Sequence, residues 1–262
     1  MKNYLKLLFI LSLVTMFSCR SSRELIYLKD FIPNDIIKGL PIQTTEHILR
    51  TGDILYVSIK SMNAEVNVLY DPESNRETNS YDSYYKYTTP SGAYLYGFEI
   101  NKDGDINLPM LGKIKVAGYS QSETEQIVQK KADEFLNDAI VKVKLLSFKV
   151  TILGEVSNQG VYYNYDNSLT VIEALAMANG TTDLATIKKI MVVRSLSEGN
   201  KSYMLDLSSK NVYLSEAFYL HPDDYVIVQP DKYKNFQLNS QTYSLVFSSL
   251  SVLFVVLGFV LK

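Results

Sequence analysis

The chain has few of the residues that build reactive centres. Its 262 residues hold one cysteine, Cys19, and two histidines, His47 and His221. One cysteine cannot form an intramolecular disulfide. Two histidines and that single thiol leave no zinc spacing and no Cys-His pair for nucleophilic work. No phosphate-cradling glycine loop is present, so the chain has no nucleotide site from which to draw energy. There is no basic excess either: 26 Lys and Arg stand against 28 Asp and Glu, a formal charge of −2. Without a basic patch, finger spacing or recognition helix, nucleic acid is a poor partner. Acidic pairs occur, but Pro222-Asp-Asp224 reads as a turn rather than a glycosidase pair. Nothing here indicates an enzyme, a cofactor or a metal.

What the chain does have is an apolar stretch at each end. Near the start, Lys2 and Lys6 give a positive stretch, an apolar run extends from Leu5 to Phe17, and Ser18-Cys19 follows. The run is too short for an ordinary membrane span and has the parts of a secretory signal. It resembles a bacterial lipoprotein signal, cut before Cys19, which is then acylated and held to a leaflet; the plain alternative is a signal peptide whose cysteine is incidental. Loss of residues 1–18 removes two lysines and takes the formal charge to −4. At the other end, residues 244–261 carry no charge and Lys262 follows. As a helix these eighteen residues rise about 27 Å, close to the roughly 30 Å core of a bilayer. The spacing predicts a transmembrane helix over 241–262. Gln241, Ser244, Ser248, Ser251, Val255 and Gly258 fall on one of its faces. Such a stripe lets helices pack closely in lipid, or faces water when several helices form a ring. A single anchor helix is the plain alternative. A strand is excluded, because one strand cannot cross lipid with unpaired edges.

Between the ends lies a polar body. Residues 19–46 are an irregular lead-in broken by Pro33 and Pro41. Thr51-Gly52-Asp53 reads as a turn before an alternating strand over 54–59. Residues 70–96 are rich in tyrosine: Tyr81, Tyr84, Tyr85 and Tyr87 lie among Asn, Ser, Asp and Thr. These rings either pack on their own domain or stack on sugars or a neighbouring subunit. Asn101-Lys-Asp-Gly104-Asp105 is a hairpin turn signal, and its acidic spacing is not that of a calcium loop. Ser122 and Glu125 predict a capping box opening a helix to about Leu136. Residues 139–146 alternate as a half-buried strand. A second unit starts near Phe148, with strand 150–156, a turn containing Gly160 and a returning strand. Thr170 and Glu173 form another capping box, and that helix stops before Gly180. Further strands lie at 190–194, 201–207, 219–220 and 225–228. Gly52, Asp53, Gly104, Gly154 and Gly160 are read as structural turns. The fold class is α+β, in two small units.

The order of these pieces resembles the outer-membrane polysaccharide biosynthesis and export family. The matching stretches are Thr51-Gly52-Asp53, the run from Asp103-Gly104-Asp105 to Leu111-Gly112, Val116-Ala117-Gly118-Tyr119-Ser120, Gly154-Glu155-Val156 to Gly160, and Leu220-His221-Pro222-Asp223-Asp224. The resemblance implies an export domain over 47–146 with a Tyr-rich insertion at 70–96. One β-grasp module of the SLBB sugar-export type covers 147–230, where larger members carry two. A linker at 231–240 leads to the terminal helix. It implies a homo-oligomeric ring of about eight copies, lipid-anchored in the bacterial outer membrane with its body in the periplasm. The terminal helices form a barrel through which a capsular or extracellular polysaccharide passes, handed on by an inner-membrane co-polymerase. Two rivals stay open. One is a membrane-anchored periplasmic adaptor that binds polymer without forming the pore. The other places the terminal helix in the inner membrane as part of an export motor.

Overall fold

Apolar residues alternating from Ile54 to Ile59 bury one face of a strand, and that strand organises the first half of the molecule. In the computed structural model, residues 26–32, 34, 47–62, 67, 69–70, 89–196, 198–234 and 240–260 are described. Strand β1 (Ile54–Lys60) is central in a three-stranded antiparallel sheet. Helix α1 (Pro90–Tyr96), capped by Thr89, leads into β2 (Phe98–Glu99) on one side of β1. Strands β3 (Asp105–Leu108) and β4 (Gly112–Lys115) form a separate hairpin, and helix α2 (Gln121–Asp133) precedes β5 (Ile140–Leu145) on the other side of β1.

Two local expectations are corrected here. The hairpin bends at Pro109–Leu111, between paired β3 and β4, and not at 101–105. The 101–105 loop joins β2 and β3, which lie in different sheets. The capping box opening α2 is Ser120 with Glu123, two residues before the expected pair. Ser120 Oγ accepts from Glu123 N at 3.2 Å, and Glu123 Oε2 accepts from Ser120 N at 2.7 Å. Both registers satisfy the S-x-x-E rule. Tertiary structure chooses between them, because Ser120 is also bridged to Ile48 and Glu125 is needed elsewhere. Glu125 Oε2 accepts from Val143 N at 2.9 Å, and Gln129 Oε1 from Val141 N at 2.9 Å. One turn apart on α2, these two side chains cover the outer edge of β5, which would otherwise offer unpaired N–H groups.

The second half is a five-stranded sheet in the order β7-β6-β10-β8-β9. Its members are β6 (Lys149–Gly154), β7 (Gly160–Tyr163), β8 (Ala185–Leu196), β9 (Gly199–Leu205) and β10 (Tyr225–Pro230). β10 runs parallel to β6 and antiparallel to β8. Helix α3 (Val171–Met177) opens with the expected Thr170–Glu173 box. It closes through Asn179 and Gly180 at positive φ, with Gly180 N donating to Leu175 O at 2.8 Å. Three residues, 146–148, separate β5 from β6. The buried side chains of both sheets form one continuous cluster from Leu49 to Val228, with Phe148 at the join. The α+β class stands, but the two units share their core.

Helix α4 (Ser240–Val260) has 21 residues. Its side chains are described at 243–256 and 258, and the continuous part rises about 21 Å. Among the described residues no helix is long and apolar enough to cross a membrane. The expected transmembrane helix over 241–262 is therefore not carried by the described residues.

Candidate functional site

The motif residues meet at the junctions between elements. The turn at 51–53 places Gly52 at φ +89° and swings Asp53 back under the strand. Asp53 Oδ2 accepts from Arg50 N at 2.8 Å and lies 3.0 Å from His47 Nε2. Its Oδ1 accepts from Ser147 Oγ at 3.1 Å, and Ser147 Oγ in turn accepts from Ile54 N at 3.2 Å. One carboxylate thus ties the incoming chain to the hinge between the two sheets. Burial pushes the Asp53 pKa up. The hydrogen bond to His47, then the Arg50 N–H, outweigh it and hold the group below the usual carboxylate value. A serine, an aspartate and a histidine here make no catalytic triad. The aspartate is central, and the serine donates to it rather than to the imidazole.

The Asp103–Gly112 and Val116–Ser120 stretches meet in space. Asn101 Oδ1 accepts from Asp103 N and Asp105 N at 2.9 and 3.0 Å. Gly104, at φ +83°, presents its carbonyl to Val116 N and Ala117 N at 3.0 and 2.9 Å. A Cβ on Gly104 would lie 2.7 Å from Ala117 Cβ, so the two motifs require each other.

In the second unit Gly154 sits at φ +91°, and a Cβ there would lie 2.1 Å from Val228 O. This close approach ends β6 and turns Glu155 across the sheet. Glu155 Oε2 accepts from Thr182 Oγ1 at 2.7 Å, and Oε1 accepts from Lys234 Nζ. The Lys234 hydrogen bond, followed by Thr182, holds the Glu155 pKa below its ordinary value against burial. Asp231 N donates to Leu184 O at 2.7 Å and Lys234 N to Asp231 O at 3.0 Å. The chain leaving the body toward α4 is thereby fastened to the second sheet. Gly160 opens β7 without a positive φ and with ordinary space around it.

The Pro222–Asp224 turn holds an ion pair that sequence reasoning missed. Asp224 is fully buried and Arg194 6% exposed. Arg194 Nε donates to both Asp224 oxygens at 3.1 and 3.2 Å, and Nη2 donates to Oδ2 at 2.8 Å and to Tyr219 O at 2.9 Å. His221 N also donates to Asp224 Oδ2 at 2.8 Å. Burial, then the charge of Arg194, lowers the His221 pKa. A lone arginine inside an apolar strand pattern was the available signal.

On α4, Ser248 Oγ donates to Leu245 O at 2.9 Å and Ser251 Oγ to Ser248 O at 2.7 Å. Ser249, off the stripe, does the same to Val246 O at 2.8 Å. These hydroxyls are satisfied by their own helix, which removes the cost of placing them against apolar surroundings. Ser244, Val255 and Gly258 are exposed on the same face. The side chain of Gln241 lies outside the described ones, and Cys19, Tyr81, Tyr84, Tyr85 and Tyr87 lie outside the described residues. Of the tyrosines flanking that segment, Tyr70 is buried, donates to Pro109 O and has its pKa pushed up to about 12 by burial, while Tyr94 and Tyr96 are exposed.

Comparison with known proteins gives two consecutive matches. Residues 42–146 match the family described as polysaccharide biosynthesis/export protein, and residues 148–228 match the SLBB domain. A protein of Ralstonia nicotianae named EPS I polysaccharide export outer membrane protein EpsA is 30% identical over 185 residues, 66% of this chain and 44% of that protein. Its namesake from Ralstonia solanacearum is 26% identical over 175 residues, 65% of this chain and 44% of that protein. The chain thus matches under half the length of these relatives. None of these matches is to an enzyme.

Proposed function

We propose, for a chain that belongs to the polysaccharide biosynthesis/export family, that it is an outer-membrane subunit of a polysaccharide translocon. Several copies assemble in a ring, and their α4 helices together wall an aqueous route for a capsular or extracellular polysaccharide. The observation that carries this reading is the order of parts. An export domain and an SLBB domain share one core, and the exit from that core is fastened by Glu155 and Lys234. It leads to a charge-free helix of 21 residues. The full helix rises about 32 Å, the order of a bilayer's apolar core. A ring of helices satisfies its own backbone and leaves no polar edge in lipid, which a long hydrated polymer cannot cross unaided. In this reading Cys19 carries the acyl anchor and the body lies in the periplasm. Gln241, Ser244, Ser248, Ser251, Val255 and Gly258 face the lumen or a neighbouring helix. Tyr81, Tyr84, Tyr85 and Tyr87 contact sugar or the adjacent subunit. The polymer arrives from an inner-membrane co-polymerase that supplies the energy. Gly52, Asp53, Gly104, Gly154 and Gly160 are scaffold.

A second reading, a periplasmic adaptor held by its tail, draws support from Ser248 and Ser251, whose hydroxyls are already spent and do not demand water. Two measurements separate them. Imaging of full-length particles in detergent should count several copies with their α4 helices in contact; monomers would leave only the adaptor. Ser248→Cys and Ser251→Cys, with Cys19 acylated, should form disulfide-linked dimers in membranes, and Leu253→Cys on another face should not.

A further inference from the structure

The hinge at 146–148 leaves a cleft of 530 Å³ between the two units, within the range of small-ligand sites. One wall is the outward face of β5 and the first turn of α2, with Lys142, Lys144 and Ser122. The other is the 164–168 loop after β7, with Tyr165, Asp166 and Asn167. Lys144 Nζ donates to Asn167 Oδ1 at 2.8 Å across the gap, so a side-chain bridge joins the two walls.

Three features of this cleft bear on its chemistry. First, the loop is fixed before any ligand arrives. Asn164 is buried, and its Nδ2 donates to Asp166 O at 2.8 Å and Ser168 O at 3.3 Å while its N–H donates to Phe148 O at 2.9 Å. A preformed loop lowers the ordering cost of binding. Second, the lining is balanced. Lys142 and Lys144 share the lining with Glu125 and Asp166; Glu125 already accepts from Val143 N, and His47, also in the lining, lies 3.0 Å from Asp53 Oδ2. A polyanion would find no net positive field here, whereas neutral hydroxyls find ammonium, amide and hydroxyl donors beside a carboxylate acceptor. Third, Tyr165 is 38% exposed at the rim, an apolar face with a polar tip. Ser122 adds its hydroxyl because Ser120, not Ser122, caps α2.

We infer that this cleft is a binding site for a neutral, hydroxyl-rich oligosaccharide segment, with Tyr165 as its platform and Asn167, Lys144, Ser122 and Asp166 as its hydrogen-bonding groups. The inference uses the export reading only for the source of the sugar, and binding can be tested without transport. The probes are isomaltohexaose, neutral, and a hyaluronan hexasaccharide, acidic, each added to the full-length protein in detergent and followed by saturation-transfer NMR. Isomaltohexaose should receive saturation from the wild type. Tyr165→Ala and Asn167→Ala should each cut that signal at least fivefold at unchanged melting temperature, while Ser195→Ala, on the far strand β8, leaves it intact. If a variant unfolds, a spin label at Gln121→Cys, beside the cleft, replaces it: the label should broaden the isomaltohexaose resonances, and a label at Ser195→Cys should not. No transfer to isomaltohexaose, equal transfer to the hyaluronan probe, or full retention in Tyr165→Ala overturns the site. Monomeric particles that still bind the neutral probe would sink the ring and leave the cleft standing. A ring that does not bind it would do the reverse.

Discussion

Single side chains carry disproportionate weight at the junctions. Arg194 and Asp224 are the sharpest case. Removing one partner leaves an uncompensated buried charge, so Asp224→Ala should lose about 3–5 kcal/mol in chemical denaturation. Asp53→Ala removes the acceptor for His47, Arg50 N and Ser147 and should cost about 1–3 kcal/mol, measured the same way. His221 sets a pH dependence. Its folded pKa is depressed, so its contribution is fully present above the ordinary value near 6.5 and shrinks as pH falls toward the lowered value. The wild type should lose melting temperature on acidification below that point, and His221→Gln should flatten this part of the curve. Glu155 and Asp53 act in a lower window. Their depressed carboxyl values mean that their contribution is present above the ordinary carboxylate range and lost as pH falls through the folded value.

At the scale of elements, caps and close approaches fix where each piece starts and stops. Ser120→Ala should destabilise by about 1 kcal/mol through loss of the α2 cap, and Ser122→Ala should be nearly neutral. That pair of measurements distinguishes the two registers of the S-x-x-E pattern directly. Gly154→Ala meets both a positive φ and the Val228 carbonyl, and should cost more than about 1 kcal/mol. Several elements were legible in the sequence because local rules decide them. β5 was visible from its period-two alternation, and α3 from Thr170, Glu173 and Gly180. The start of α2 was not, since two equivalent serine–glutamate pairs stood two residues apart. Only the bridge to Ile48 and the use of Glu125 on Val143 separate them.

For the whole molecule the decisive contacts are those between distant segments. Lys234 is 79 residues from Glu155, yet their bond fixes the route by which the chain leaves the body. Glu155→Gln should free residues 231–234, seen as faster protease cleavage there at neutral pH, while acidification of the wild type should produce the same nicking. The candidate site was legible only in parts. The motif residues Gly52, Asp53, Gly104 and Gly154 could be named as turns. That Asp53 reaches Ser147, or that Gly104 receives Val116 and Ala117, has no local signature, because hydrogen bonds across long loops depend on which sheets pack together. The cleft around Tyr165 was invisible for the same reason, its walls coming from residues more than 20 positions apart. By itself the sequence determined the α+β character, the two-module order, the small polar stripe near the carboxyl end and the lack of reactive residues, since these rest on composition and short-range periodicity. Only the tertiary structure decided that the modules share one core, which serine caps α2, that Arg194 and Asp224 are one buried pair, and that a ligand-sized space opens at the hinge. Each of these depends on side chains that meet only after distant segments have docked.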